Sequence, residues 1–73
     1  MPKLPRIGGA ECIAALERLG FVSVRQRGSH VVMRRGDRGC VVPLHRALKA
    51  GTLRGVLKQA GVDPDDFAAA LRR

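Results

Sequence analysis

The chain has 73 residues, enough for one small domain and too few for a separate cofactor-binding domain, so we expect residues 1–73 to form a single domain. It carries 14 Lys and Arg against 6 Asp and Glu, a formal net charge of +8 that favours a polyanionic partner such as nucleic acid. The excess lies in residues 18–58, where 10 basic residues stand against Asp37 alone. With no Trp or Tyr and 2 Phe, the composition argues against a platform of aromatic side chains that stacks single-stranded bases.

Several kinds of site and location are also disfavoured. No N-terminal stretch looks like an apolar targeting segment, and no run approaches the roughly 20 apolar residues of a membrane span, so we expect a cytoplasmic protein without membrane contact. Cys12 and Cys40 are too few for a secreted disulfide framework, and with His30 and His45 they lack the spacing of a zinc site. We expect no metal and no cofactor, and we expect both cysteines to be small buried apolar residues.

The first predicted element is a helix over residues 8–20, which ends at Gly20 because glycine readily adopts the left-handed conformation of a helix end. Apolar residues recur along it at steps of three: Ala10, Ile13, Leu16 and Leu19.

The periodicity then changes from about 3.6 to 2, which predicts strands. Three short strands are predicted, over residues 21–27, 30–35 and 40–43. In the first, Val22 and Val24 alternate with polar residues, the pattern of a strand with one buried and one wet face. Gly28-Ser29 and residues 36–39 supply tight turns and Pro43 closes the third strand, so the strands form an antiparallel meander.

Helical spacing returns over residues 51–61, with Thr52 as the predicted N-cap and a glycine at the end. Gly55 lowers helix propensity there, which suggests that something passes close to it. A last helix, residues 64–73, follows Asp63 as N-cap. The order of elements predicts an α+β fold, with helices on one face of a three-stranded antiparallel sheet and the other face open.

His30 is the residue most suited to chemistry. RNA carries its own nucleophile, the 2′-hydroxyl, so a ribonuclease needs a base, cations that steady the phosphorane charge and a proton source, but no metal. Imidazole suits the base, and Arg27, Arg34 and Arg35 are the candidate phosphate contacts. Strand alternation directs Arg34 and Arg35 to opposite faces of the sheet. Arg34 shares the face of His30, so we favour Arg34 over Arg35 as the phosphate contact. Composition alone leaves open that His30 is an ordinary half-exposed residue.

Three neighbours complete the candidate site. Gly28 allows close approach of backbone to phosphate, and the Ser29 hydroxyl and amide could donate to it. His45 is a candidate for a second imidazole of the site, acting as an acid or as a phosphate contact. The alternative is that it orients the loop that follows.

Four segments together resemble a HicA-type toxin, the small ribonuclease of bacterial HicA and HicB toxin-antitoxin pairs. They are "LERLGF" at 16–21, "RQRGSHVVMRR" at 25–35, "VPLH" at 42–45 and "KAGTLRGVLKQAG" at 49–61. The resemblance spans about Ile7 to Leu71, and each motif is weak alone but the set is specific. One departure is Gly8-Gly9, where a Ser or Thr cap is more usual; glycine is nearly as good a cap.

The resemblance implies a fold like the double-stranded RNA-binding domain, metal-independent cleavage of messenger RNA and a catalytic histidine in the Gly-Ser-His motif, here His30. It also implies a HicB-type antitoxin that covers the site, and an acidic partner would be attracted to this basic surface. We therefore expect the toxin of a type II toxin-antitoxin system, an RNA endonuclease with His30 as general base. A non-catalytic module for double-stranded RNA would use the same fold and arginines without an imidazole. A protein-interaction adaptor without RNA is a third possibility.

Overall fold

The computed structural model describes residues 6–73, which form an α-β-β-β-α-α fold. The elements are α1 Gly9–Arg18, β1 Val22–Arg27, β2 His30–Arg35, β3 Arg38–Pro43, α2 Ala50–Ala60 and α3 Pro64–Leu71. This order confirms the predicted α+β class and is consistent with a fold like the double-stranded RNA-binding domain. The expectation about a targeting segment falls partly on residues 1–5, outside the described range. No helix in residues 6–73 is long and apolar enough to cross a membrane.

The sheet is an antiparallel meander in the order β1-β2-β3. Both of its turns contain two residues and begin with a glycine of positive φ, +54° at Gly28 and +61° at Gly36. A glycine at the first central position is typical of the type II′ turn, whose twist matches that of the flanking strands. These two glycines therefore set the register of the whole sheet.

The helices pack on one face of the sheet, where α2 lies against β3 and α1 lies against α3 and β3. The buried side chains of the sheet on that face are Val31, Met33, Cys40 and Val42. Phe21, just before β1, and Phe67, in α3, are both almost fully buried, so the two aromatic rings belong to the core.

The buried face of α1 agrees with the predicted one at Leu16, and Ile13 and Leu19 pack against the core partly buried, but the prediction fails at Ala10. Ala10 is exposed, and the face toward the core carries Cys12, Ala15 and Leu16. The burial of Cys12 and Cys40 confirms that the cysteines are core residues. A stripe spaced by three and four residues follows the 3.6-residue turn better than strict steps of three, which drift around the helix.

The start of α2 was predicted too late. The helix begins at Ala50 with Lys49 as N-cap, so Thr52 lies within the helix and does not cap it. The preceding residue, Leu48, is buried, and its N–H donates to the Ile7 carbonyl at 2.7 Å; this anchor lets the helix begin directly after it. The expectation for Gly55 is also wrong within the described residues, because no atom outside the neighbouring backbone of its own helix lies within 4 Å of where its Cβ would be.

The ends of the helices otherwise follow the sequence. Gly20 and Gly61 have φ of +98° and +70°, as expected for left-handed helix ends. The Asp63 carboxylate accepts from the Asp65 N–H at 2.7 Å, which confirms the N-cap of α3. That helix ends at Leu71, two residues before its predicted end.

Strand β1 contradicts the expectation of one buried face. All six of its residues are exposed, including Val22 at 58% and Val24 at 50%. The helices lie toward β3, at the other side of the sheet, and the register of β1 shifts between Ser23 and Arg25 at a bulge. Val22 pairs with Arg34 and so lies on the face without helices, whereas Val24 lies at the bulge, where no helix covers it.

Candidate functional site

His30 is the first residue of β2, the central strand, and it is exposed. It lies between Arg27 on β1 and Pro43 on β3. Because Val31 and Met33 point into the core, alternation directs His30 to the opposite face of the sheet. We call that face the open face. On the open face, the His30 imidazole belongs to the central strand and has one residue of each outer strand beside it.

Arg27 is the cation nearest to His30. Directly opposed residues of antiparallel strands have Cβ atoms about 4.5–5.5 Å apart, and diagonal ones about 7–8 Å. Arg27 is directly opposite His30, and Arg25 pairs with Val32 and is therefore diagonal to it. Both side chains belong to the open face, because their strand partners do.

The structure places Arg34 further from His30 than the sequence suggested. The two share the open face, but Arg34 lies four residues along the same strand, about 13 Å away at about 3.3 Å per residue. The strand pattern favoured Arg34 as the phosphate contact, and Arg25 was not predicted as one. The two-residue turn at residues 28–29 could have indicated Arg25. Such a turn places Arg27 directly opposite His30, and strand alternation then places Arg25 on the same face.

Arg35 is not part of this group. Its guanidinium lies 4.6 Å from the centroid of the Phe21 ring, and its N–H donates to the Leu19 carbonyl at 2.7 Å. Both contacts hold the end of β2 to the segment that joins α1 and β1. Arg35 thus has a structural role on the side away from His30.

The turn before His30 is held from both sides. The Gln26 side-chain amide donates to the Gly28 carbonyl at 3.0 Å, and the Ser29 carbonyl accepts from the Leu44 N–H at 2.6 Å. Ser29 and Gly28 are exposed, and nothing lies within 4 Å of a Cβ built on Gly28. Gly28 is therefore needed for its positive φ, and the sequence analysis missed Gln26 as the residue that braces the turn.

His45 follows closely after β3, two residues past Pro43, and its side chain is exposed. Its carbonyl accepts from the Gly9 N–H at 2.9 Å, so the N-terminus of α1 fixes this part of the loop. The hydrogen bond of Leu44 to the turn continues the β3 ladder, and extended alternation directs His45 toward the side of Pro43 and His30.

Gly8 and Gly9 have a packing role that their position at the helix cap did not indicate. A Cβ on Gly8 would lie 2.5 Å from the Arg46 carbonyl oxygen, and one on Gly9 would overlap the Pro43 carbonyl. The Glu11 carboxylate accepts from the Gly8 N–H at 3.2 Å, which is the half of a capping box that the third helical residue contributes. Backbone proximity explains why glycines occupy these positions.

A shallow depression of about 380 Å³ lies on the open face beside Arg34. Val32 and Val41 form part of its floor, and Gln59 of α2 closes one side. The open face thus combines exposed cations with a small apolar surface.

The described residues include no cluster of three or more His, Cys, Asp or Glu side chains that could hold a metal ion. Burial raises the pKa of the Cys12 thiol to about 12, with a further contribution from Cys40, whose own thiol pKa is raised by burial. Both thiols are therefore protonated and inert at neutral pH.

Comparison with known proteins identifies the family of the chain. No curated protein matches the chain. A family model described as the HicA toxin of bacterial toxin-antitoxin matches residues 9–62, from the first residue of α1 to just past the end of α2. The match includes His30, the turn before it and the loop that carries His45. It covers well over half of the chain, which therefore belongs to the HicA toxin family.

Proposed function

We propose that this HicA toxin is an endoribonuclease that cleaves messenger RNA without a metal ion, with His30 as the general base. The observation that supports it best is the position of His30 on the open face, exposed and directly opposite Arg27. Arg25 and Arg34 extend the positive charge along the same face. A phosphate held there would have a proton acceptor and cations within reach of one another.

The proposed reaction uses the 2′-hydroxyl of the substrate. His30 takes the proton of that hydroxyl while its oxygen attacks the adjacent phosphorus. The bond from phosphorus to the 5′ oxygen of the next nucleotide breaks, and the products are a 2′,3′-cyclic phosphate and a 5′-hydroxyl. Arg27 stabilises the extra negative charge of the phosphorane, and Arg25 and Arg34 bind flanking phosphates. Gly28 and Ser29 shape the turn that presents His30, and the exposed Ser29 hydroxyl can donate to the phosphate.

The leaving 5′ oxygen needs a proton. His45 is the second imidazole at this end of the sheet, and its backbone is held by Gly9. We propose that His45 or a water molecule supplies that proton. Arg35 is left out of the proposed site because its guanidinium is engaged by Phe21 and Leu19.

A HicB-type antitoxin is the proposed protein partner. Membership of a toxin-antitoxin family implies such a partner, and the net charge of +8 would attract an acidic one. Both messenger RNA and antitoxin would be met in the cytoplasm, where we expect the protein to act.

The proposal is tested by incubating wild-type protein and a His30→Ala variant with a long RNA in excess chelator, and by measuring fragment lengths and RNA affinity in parallel. The proposal expects cleavage by the wild type and binding without cleavage by the variant. Equal binding with no cleavage by either protein would favour a module that only binds double-stranded RNA. His45→Ala is the matched control: it removes an imidazole next to the site, and cleavage should be slowed but not abolished.

A further inference from the structure

One edge strand of the sheet, β3, is covered by a helix, and the other, β1, is not. Along β3, helix α2 lies beside the edge, and the Gln59 side chain accepts from the Val41 N–H at 3.4 Å. Within residues 6–73, β1 pairs only with β2, and all six of its residues are exposed. An uncovered edge strand presents unpaired N–H and C=O groups to any other chain that can pair with them.

The unpaired groups can be identified from the register. Arg27 and His30 flank a two-residue turn and so share hydrogen bonds. The N–H and C=O of Gln26, the next residue, therefore point away from β2. This is the geometry that an incoming strand needs.

An apolar groove runs beneath this edge on the helix side. It has a volume of about 400 Å³. Its apolar lining is Ile13 of α1, Val24 of β1, Val31 of β2 and Leu44 after β3, and its polar lining is Ser23, Arg25 and Gln26 of β1. Val24 is 50% exposed and Leu44 is 37% exposed, both high for such residues. The groove exists because the helices pack toward β3 and leave the inner face of β1 uncovered.

The other side of β1 is positive. Arg25 and Arg27 belong to the open face, and residues 21–36 contain no acidic residue. An added strand would thus meet a largely apolar groove on one face and Arg27 on the other, with Arg25 belonging to the open face by its pairing and also bordering the groove.

We propose that the β1 edge binds an extended acidic segment of a partner protein as a fourth antiparallel or parallel strand. Its side chains alternate, with apolar residues entering the groove of Ile13, Val24 and Leu44 and acidic residues lying beside Arg25 and Arg27. This binding mode does not depend on the chemistry of His30.

Charge selects such a partner over a second copy of this chain. Two β1 strands paired with each other would bring Arg25 and Arg27 of both copies close together, and like charges across a strand pair are destabilising. Pairing of two β1 strands is therefore unfavourable, whereas a strand of opposite charge is complementary to this edge.

The test uses a short acetylated peptide of alternating Glu and Val, titrated into ¹⁵N-labelled protein while amide shifts are recorded. We expect saturable binding, with the largest shifts at β1, Ile13 and Leu44. Val24→Lys places a charge in the groove and should lower affinity about tenfold, equivalent to about 1.4 kcal/mol. Val41→Lys adds the same charge at an exposed valine of the covered edge and should leave affinity about unchanged.

Three results would overturn the proposal. One is the absence of saturable binding. Another is equal binding of a control peptide, either one with the same Glu and Val residues in two blocks or one N-methylated at its pairing amides. Equal binding would show that charge alone attracts the peptide, and this comparison needs no protein variant. The third is a set of β1 shifts on concentrating the protein by itself, which would identify a second copy as the occupant.

Discussion

The position of Arg27, as opposed to its charge alone, should control RNA binding. For single-stranded nucleic acid, each phosphate neutralised by Lys or Arg changes the slope of log affinity against log salt by about −0.7. The open-face arginines Arg25, Arg27 and Arg34 would together give a slope of about −2. Replacing Arg27 by Gln removes one contact and should reduce the steepness by about 0.7.

The assay is fluorescence anisotropy of a labelled RNA across a salt series, in a His30→Ala background so that the RNA stays intact. Arg35→Gln is the matched control, since it removes the same charge from the same protein. It should leave the slope unchanged and lower the free energy of unfolding, because it loses a cation–π contact of about 0.5–1 kcal/mol and a hydrogen bond of about 0.5–1.5 kcal/mol. Equal changes in slope for the two variants would refute the assignment of RNA binding to the open face.

Three further predictions concern the framework of the site. Gly9→Ala would drive a Cβ into the Pro43 carbonyl, so the loop after β3 must shift; we expect RNA cleavage to fall by more than the loss of folded protein accounts for, measured at a temperature where the variant is folded by circular dichroism. The Cys12 thiol has an ordinary pKa of 9.0 and a pKa of about 12 in the folded protein, so the folded state keeps a proton that the unfolded chain loses. The unfolding free energy should therefore hold below about pH 9 and fall as the pH rises toward 12, and it should fall less steeply in Cys12→Ala; an equal decline in both would contradict the assignment. Asp63→Ala removes the N-cap of α3 and should cost about 1 kcal/mol in urea denaturation, whereas Asp66→Ala, with no capping contact, should cost less.

Much of the fold could be predicted because short-range chemistry determines it. The glycines of the two hairpin turns, the left-handed glycines at helix ends and the Asp63 cap act within a few residues, and each lies where the sequence placed it. The second turn is nevertheless shorter than the predicted residues 36–39, because Arg38 already pairs with Arg35 and β3 begins there and not at Cys40. The central strand also followed its pattern, since Val31 and Met33 alternate with residues of the open face. Local rules therefore gave the element order and the position of His30 in the sheet.

The features that were mistaken depend on contacts distant in sequence. Val22 and Val24 have the pattern of a half-buried strand, but the bulge places Val22 opposite Arg34 on the open face, and Val24 stays uncovered because the helices lie toward β3. Arg35 resembles its neighbour Arg34 in sequence, and only the nearby Phe21 ring and Leu19 carbonyl show its structural role. The Gly9 contact with the loop after β3 likewise joins residues far apart in the chain.

The central claim is that His30 starts a transesterification at the 2′-hydroxyl of RNA. It is tested most directly by identifying the ends of the cleaved fragments, by mass spectrometry, for wild-type protein and His30→Gln in excess chelator. The proposed chemistry predicts 2′,3′-cyclic phosphate and 5′-hydroxyl ends from the wild type and no such ends from the variant. Fragments with 3′-hydroxyl and 5′-phosphate ends, or cyclic phosphates formed equally fast by His30→Gln, would contradict it.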